Sequence, residues 1–458
     1  MNKNPTHLPI GEKIRQIRQA KGLSQDNLAK NVGKSKALIS RLERGESEFD
    51  NETLTAIKKA LGIEKAPLTE RELEIYWERL WGWHAFVHAR RMDKAKGAQE
   101  ELKQIIDLPF ETELIMLYKL IDARILFINR EDTAVEERLA DVEASIDLEQ
   151  ASDELLYLYH RVKGGALTAA TTRTTNSPTF ESMKERLNHF LLAYEYSEKM
   201  QISDPSLLFS IGNNYLFSAR PIMAMRYLEQ AKREYDMDKT LDYPIAINSL
   251  LAVCYDMLGE YTSAIKLNEA MYAEAIKHNN PYHIGTALLN IGISYGQDGD
   301  TDSALRYIEE SIPFFGETIN QASEAVPQSI EDAHAATFLY VCALCNKAIY
   351  LMKKKDTAGC KAALEKAMDL AKDFEVLTME VETTRHMTLK EENSTEYLES
   401  VALPYFRDQG ARAITNALGI CDDLESTYRK RGATNKANAI AAIARDIYKQ
   451  MIFGVLDK

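Results

Sequence analysis

Little in this chain could hold it together or anchor it from outside a folded core. Its 458 residues contain five cysteines, an odd number spread widely, which argues against a disulfide framework and fits a reducing compartment. No apolar run is expected to reach membrane-spanning length, and the opening MNKNPTHLPIGEK has no signal-peptide hydrophobic core. Glycine-rich phosphate loops are missing, as is any Ser/His/Asp arrangement that spacing could justify, so nothing argues for an enzyme. Strand-type alternation is also lacking. What remains is helix-period apolar pattern with short polar breaks, in a composition (45% hydrophobic, 27% charged) that fits a globular protein.

A net positive balance is lacking overall and found only at one end. The chain carries a net charge of −13, yet residues 1–66 hold 13 Lys+Arg and 8 Asp+Glu, a net of +5, leaving −18 for the rest. A basic head on an acidic body suits phosphate binding confined to the head.

The head is organised around Leu23–Gly45, LSQDNLAKNVGKSKALISRLERG. Ser24 is placed to cap a helix from Ser24 to Val32, with Asp26 in its first turn. Gly33 stands where the chain must reverse, Ser35 can cap a second helix from Lys36 to Arg44, and Gly45 can end it. Leu28, Val32, Ile39 and Leu42 form the inward face, and the small Ala29 lets the helices cross closely. Such a pair is a helix-turn-helix, whose second helix enters a major groove. Gln25, Ala29, Gly33, Ile39 and Leu42 give the stretch a specific resemblance to the Xre/Cro-type repressors, covering residues 10–63. Lys36, Ala37, Ser40 and Arg41 are left on the outer face, with Lys36, Ala37 and Arg41 toward bases or phosphates. Gln25 and Ser35 are expected to anchor the DNA backbone.

Residues 1–9 read as an arm, the head runs to about Glu64, and Pro67 marks the boundary. The expected domains are a helix-turn-helix over 1–66 and a helical repeat domain over 67–458 that binds peptide and dimerises. Thr69–Met92 reads as one long helix carrying Trp77, Trp81 and Trp83, with Trp77 and Trp81 on a shared face and the tryptophans packing at the head–body joint. His84 and His88 have the i, i+4 spacing of zinc ligands, but no third ligand accompanies them and both are read as structural. Cys342 and Cys345 are likewise read as small buried residues. No cofactor or metal is expected.

Repeats follow. Leu208, Ile211, Gly212 and Tyr215 precede Ala224, Leu228 and Ala231; about 40 residues on come Leu251, Ala252, Tyr255 and Ala264. A similar step brings Leu288, Ile291, Gly292, Tyr295, Ala304 and Ile308. Asn346, Ala348, Leu351, Cys360, Leu364 and Ala367 fit the frame after an insertion around Pro313–Ala335, and Tyr428, Ala437, Ala441 and Ala444 mark a last copy. Helix pairs are expected around 109–147 and 151–200. The frame resembles the tetratricopeptide (TPR) pattern, in which small residues let paired helices interlock. The fold class is therefore all-α, a helix-turn-helix domain followed by a TPR-like α-solenoid.

The first helices of such pairs line a groove suited to an extended peptide. Asn290 and Asn346 occupy the same place in their repeats, and Asn213 projects toward the groove by TPR geometry. An amide side chain can pair with both C=O and N–H of a peptide backbone.

A helix-turn-helix on TPR-like repeats with groove asparagines, and a late segment Val401-Ala-Leu-Pro-Tyr-Phe406, resembles the RRNPP peptide-pheromone receptors (the Rap, Rgg, NprR, PlcR and PrgX group, with the phage arbitrium receptors alongside). The resemblance implies a cytoplasmic, quorum-sensing transcription regulator, usually a homodimer, that binds operator DNA and a short re-imported signalling peptide. It implies no membrane partner. The alternative is a DNA-binding regulator whose repeats dock a protein, such as a response regulator.

Overall fold

The structure is a computed structural model. It describes residues 9–63, 67–108, 110–145, 148, 151–173, 180–237, 245–322, 327–408 and 414–453. The arm expected over 1–9, apart from Pro9, and the head's expected end at Glu64 lie outside the described residues. Among these residues there is no strand, and the chain divides into two compact units.

One unit is built mainly from Met1–Ala166 and His189–Ser203. It begins with α1 (Ile10–Ala20), α2 (Gln25–Asn31), α3 (Lys36–Glu43) and α4 (Asn51–Ala60). Helix α5 (Glu70–His88) opens on a reciprocal capping box: Thr69 Oγ accepts the Glu72 N–H, and the Glu72 carboxylate accepts the Thr69 N–H. The single helix expected over Thr69–Met92 breaks, because Arg90 takes a left-handed φ of 53° and the chain restarts as α6 (Met92–Leu102). A 3₁₀ turn, Lys103–Asp107, leads to α7 (Thr112–Ile128) and its partner α8 (Asp132–Ser145). Then come α9 (Asp153–Arg173) and α10 (Phe180–Met200), each shared between the units. These two pairs fall where the sequence placed them.

The other unit contains Leu167–Asn188, Asp204–Met237 and Tyr243–Lys458. Its repeat pairs are α11 (Pro205–Phe217) with α12 (Pro221–Met237), α13 (Ala246–Met257) with α14 (Tyr261–Lys277), α15 (Pro281–Gln297) with α16 (Thr301–Asn320), and α17 (Pro327–Lys353) with α18 (Thr357–Ala371). The first helices also pack on one another in turn, α11 on α13, α13 on α15 and α15 on α17. Small residues set these crossings. A Cβ on Gly212 would lie 2.6 Å from the Leu228 side chain, and one on Gly292 would lie 2.7 Å from Ile308 and 3.0 Å from the Ala304 carbonyl. Each close approach is followed by a stacked tyrosine pair bridging the two helices. Tyr215 and Tyr227 have centroids 5.6 Å apart, Tyr295 and Tyr307 5.5 Å, and Arg226 and Arg306 lie over Tyr227 and Tyr307.

Helices α19 (Glu375–Leu389), α20 (Ser394–Tyr397), α21 (Leu403–Asp408), α22 (Ile414–Lys430) and α23 (Thr434–Phe453) complete the chain. The expected insertion around Pro313–Ala335 is mostly helix: α16 runs through Pro313 to Asn320, and α17 starts at Pro327. The expectation of no long apolar run also fails, since Asp332–Lys353 within α17 is long and apolar enough to cross a membrane. Ala336, Val341, Leu344 and Ala348 of that helix instead share a core with Ile308 of α16, Leu364 and Ala367 of α18 and Val381 of α19. Cys345 is buried there too, and burial pushes its thiol up to about 12. The segment Val401–Phe406 belongs to the last core, with Ala402, Leu403 and Phe406 buried and Val401 exposed.

Candidate functional site

The helix-turn-helix forms as its caps dictate. Ser24 Oγ accepts the Asn27 N–H at 3.0 Å and Ser35 Oγ the Leu38 N–H at 3.2 Å, so each short helix has one orphan donor satisfied. Gly33 at φ +67° makes the turn and Gly45 at φ +71° makes the exit, conformations that a side chain disfavours. Leu28, Ala29, Ile39 and Leu42 are buried with Ile14, Ile17, Ile57 and Leu61, while Val32 packs at the edge of this core.

Beneath α3 lies a dry ion pair. Arg18 of α1 reaches both oxygens of Glu43, Nε to Oε1 at 2.6 Å and an Nη to Oε2 at 2.9 Å, and a further guanidinium N–H donates to the Leu23 carbonyl at 2.6 Å. Gln25 adds its amide N–H to Glu43 at 2.8 Å. Each Glu43 oxygen is therefore engaged, and the recognition helix is fastened at its end. The same bond ties the Gln25 amide N–H, expected to reach DNA, to the protein interior.

On the opposite face Lys36, Ala37 and Arg41 are exposed and Ser40 is half-buried, while the exposed Ser35 holds the helix start. Two cations flank a small residue along one helical face. Such a face can enter a groove, with Arg41 able to give two parallel N–H bonds to a guanine edge.

In the repeats the structure distributes the three asparagines over α11, α15 and α17, and two of them make different hydrogen bonds. Asn290 donates its amide to Ser249 Oγ at 3.1 Å and more weakly to Asn268 Oδ1 at 3.4 Å. Asn346 turns its amide back on the Cys342 carbonyl one turn earlier, at 2.9 Å. Asn213 is half-buried beside Asn214, which is buried, accepts from Arg186 at 2.5 Å and donates to the Ser210 carbonyl at 2.7 Å.

A polar cluster thus gathers around Asn290 that repeat spacing did not single out. Ser294, one turn on, donates to Asp256 of α13 at 3.0 Å. Burial pushes the Asp256 carboxyl up from an ordinary 3.8 to about 6, and its Oδ1 has no hydrogen-bond partner; neither does the Asn268 amide nitrogen. The available signal was an Asp directly after the repeat Tyr255, where the other copies carry Leu216 and Gly296.

The remaining candidates lie on α5. His84 Nε2 lies 2.9 Å from the Arg124 guanidinium, and no group of three metal-binding side chains gathers among the described residues. Trp83 packs on Tyr118 of α7 with ring centroids 4.9 Å apart, and Trp81 is half-buried. Phe110, from the turn before α7, enters the head's core, and Phe49 packs against that core.

Residues 14–68 match the helix-turn-helix family model. Among solved structures, the chain is similar to the apo form of the quorum sensor NprR from B. thuringiensis, with 17% identity, a TM-score of 0.61, and 82% of this chain and 99% of that one covered. It is similar to a Rap protein complexed with competence and sporulation factor, at 15% identity and a TM-score of 0.61 over 83% of this chain and 99% of that one. NprR in complex with its cognate peptide NprX gives 18% identity and a TM-score of 0.59, over 82% and 100%. No curated protein matches by sequence. At these identities the likeness is one of fold. The resemblance drawn from the sequence stands in both parts, and the fold is all-α, a helix-turn-helix followed by TPR-like helical repeats.

Proposed function

We propose that the chain is an RRNPP-type transcription regulator whose head binds operator DNA and whose repeats bind a short signalling peptide that alters DNA binding. The observation that carries this reading is the joining of two surfaces on one chain. One is the exposed Lys36–Ala37–Arg41 face of α3; the other is the amide-bearing first-helix layer in a repeat fold shared with a peptide-bound quorum sensor. The head is the domain over 1–66, the repeats that over 67–458, and the protein acts in the cytoplasm as a homodimer, because one recognition helix reads only a half-site.

Asn213, Asn290 and Asn346 are the proposed peptide contacts. Asn290 already donates to Ser249 and Asn268, so a peptide carbonyl would compete with those acceptors for the same amide. Ser35, Ser40 and Gln25 support the DNA-facing helix, and Lys36, Ala37 and Arg41 meet the duplex.

The test begins with a duplex enriched from a random pool by the full-length protein. Arg41→Ala should weaken binding to it by about 1–3 kcal/mol, and a Lys36/Arg41 double alanine variant should bind far more weakly still. Calorimetry with a library of short synthetic peptides, with and without that duplex, then measures coupling. Asn290→Ala and Asn346→Ala should each weaken peptide binding by about 1–3 kcal/mol; Asn346→Ala should leave the unfolding curve alike, whereas Asn290→Ala also removes the donor to Ser249 and Asn268 and should lower stability. Linkage requires peptide and duplex to alter each other's affinity by one factor, so equal peptide affinity in both titrations would overturn the proposed coupling.

A further inference from the structure

The core of the head is completed by two residues from well outside its first 66 positions. Phe110, in the turn before α7, is 2% exposed and packs in one cluster with Ile14 and Ile17 of α1, Leu42 of α3 and Ile57 of α4. Its neighbour Glu111 receives Lys13 Nζ of α1 on both oxygens, at 2.9 and 2.8 Å, and accepts the Leu68 N–H at 3.0 Å. The paired side chains are 5% and 4% exposed, so this ion pair is dry. Without Glu111, Lys13 would be a buried cation with its counter-charge removed; without Phe110, an apolar hole would open among the head's isoleucines.

The links onward are equally short. Glu111 directly precedes α7, which packs on α5 through Tyr118 and Trp83. From α1, Gly11 brings the backbone against α3 so closely that a Cβ there would lie 2.0 Å from the Leu42 carbonyl oxygen. Arg18 of the same helix holds Glu43 at the end of α3. Two buried ion pairs, Glu111–Lys13 and Arg18–Glu43, thus run in series from α7 to the recognition helix.

We propose that Phe110 and Glu111 are positioning residues for DNA recognition, fixing α3 to α7 so that the head turns with α7 rather than swinging on a tether. The DNA-related half of this inference rests on the DNA-binding reading above; the mechanical half does not. A dimer whose heads are held this way accepts half-sites at one separation, whereas released heads accept several.

The experiment uses the full chain as wild type, Glu111→Gln and Phe110→Ala, with two readouts: amide hydrogen exchange, and the half-site separations enriched from a random duplex pool. Glu111→Gln is expected to speed exchange in α1–α4 on the order of a hundredfold, leave α11–α18 unchanged, and broaden the accepted separations. The apolar double variant Lys13→Met/Glu111→Leu, which removes both charges together, should restore most of the protection. If Phe110→Ala does not fold, Phe110→Leu shrinks the plug without unpairing a charge and carries the same expectation. Unchanged protection in α1–α4 overturns the latch. Faster exchange with the wild-type separation retained shows a purely structural role, and also overturns it. A wild-type chain that enriches no duplex removes the DNA reading, while hydrogen exchange still decides whether head and α7 are joined.

Discussion

The head and the repeats solve the same problem, holding short helices in register, with different emphasis. In the head, charges are buried and matched: Arg18 with Glu43, Lys13 with Glu111, and Gln25 added to the first pair. In the repeats, helices meet through missing side chains, Gly212 against Leu228 and Gly292 against Ile308, with stacked tyrosines beside them. Directional bonds specify one arrangement and fail when a partner is lost. Steric contacts at small residues specify a distance and fail when an atom is added. Under the proposed function, the contrast suits a head that presents one helix in one orientation and repeats that fit around a peptide.

The sharpest way to break this comparison is to remove one partner of a buried pair. Arg18→Met should cost about 3–5 kcal/mol, because it leaves the Glu43 carboxylate buried against an apolar chain with Gln25 as its remaining donor. Thermal unfolding together with exchange in α1–α4 reports it; a loss no larger than that of an exposed substitution would show that the pair does not specify the head.

Adding an atom in the repeats is the next largest test. Gly292→Ala should cost about 1–3 kcal/mol, since the new methyl meets Ile308 and the Ala304 carbonyl. Gly316→Ala, on the same pair of helices, meets nothing within 4 Å and should stabilise by about 0.5–1 kcal/mol through helix propensity. Equal effects at both sites, measured by urea unfolding, would erase the proposed role of close approach.

The smallest effect is a slope with pH. The Asp256 carboxyl is raised by burial from 3.8 to about 6, so its neutral form is favoured in the folded state. Its contribution to stability is fully present below pH 3.8 and is lost as pH rises through about 6. Asp256→Asn should flatten that part of the stability profile in urea titrations between these limits. A slope identical to wild type would mean the carboxyl is solvated like any surface group.

The features legible in the sequence were those with a local physical cause. Ser24 and Ser35 as caps, Gly33 and Gly45 as reversals, and Gly212, Gly292 and Ala304 as contact points all act within a turn or a helix pair. The break after His88 carried no such mark: Arg90 adopts a left-handed conformation with neither glycine nor proline to announce it. Phe110 and Glu111 were illegible for another reason, since a contact made 98 residues away from Lys13 leaves no period in the chain. Asn290 was found by register, but Ser249, Asn268 and Asp256 were not, because they converge from two other helices and share no spacing with it.

The tyrosine stacks carry a consequence for the length of the chain. Gly212, Tyr215, Ala224, Arg226 and Tyr227 recur 80 positions later as Gly292, Tyr295, Ala304, Arg306 and Tyr307, while the intervening pair keeps the small residues Ala252 and Ala264 without a second stack. The stack therefore recurs with a period of two helix pairs rather than one. Excising a segment of that length, so that Gly212 is followed by Ile293, joins the front of α11 to the back of α15 in phase, and α16 meets the helix it already fits.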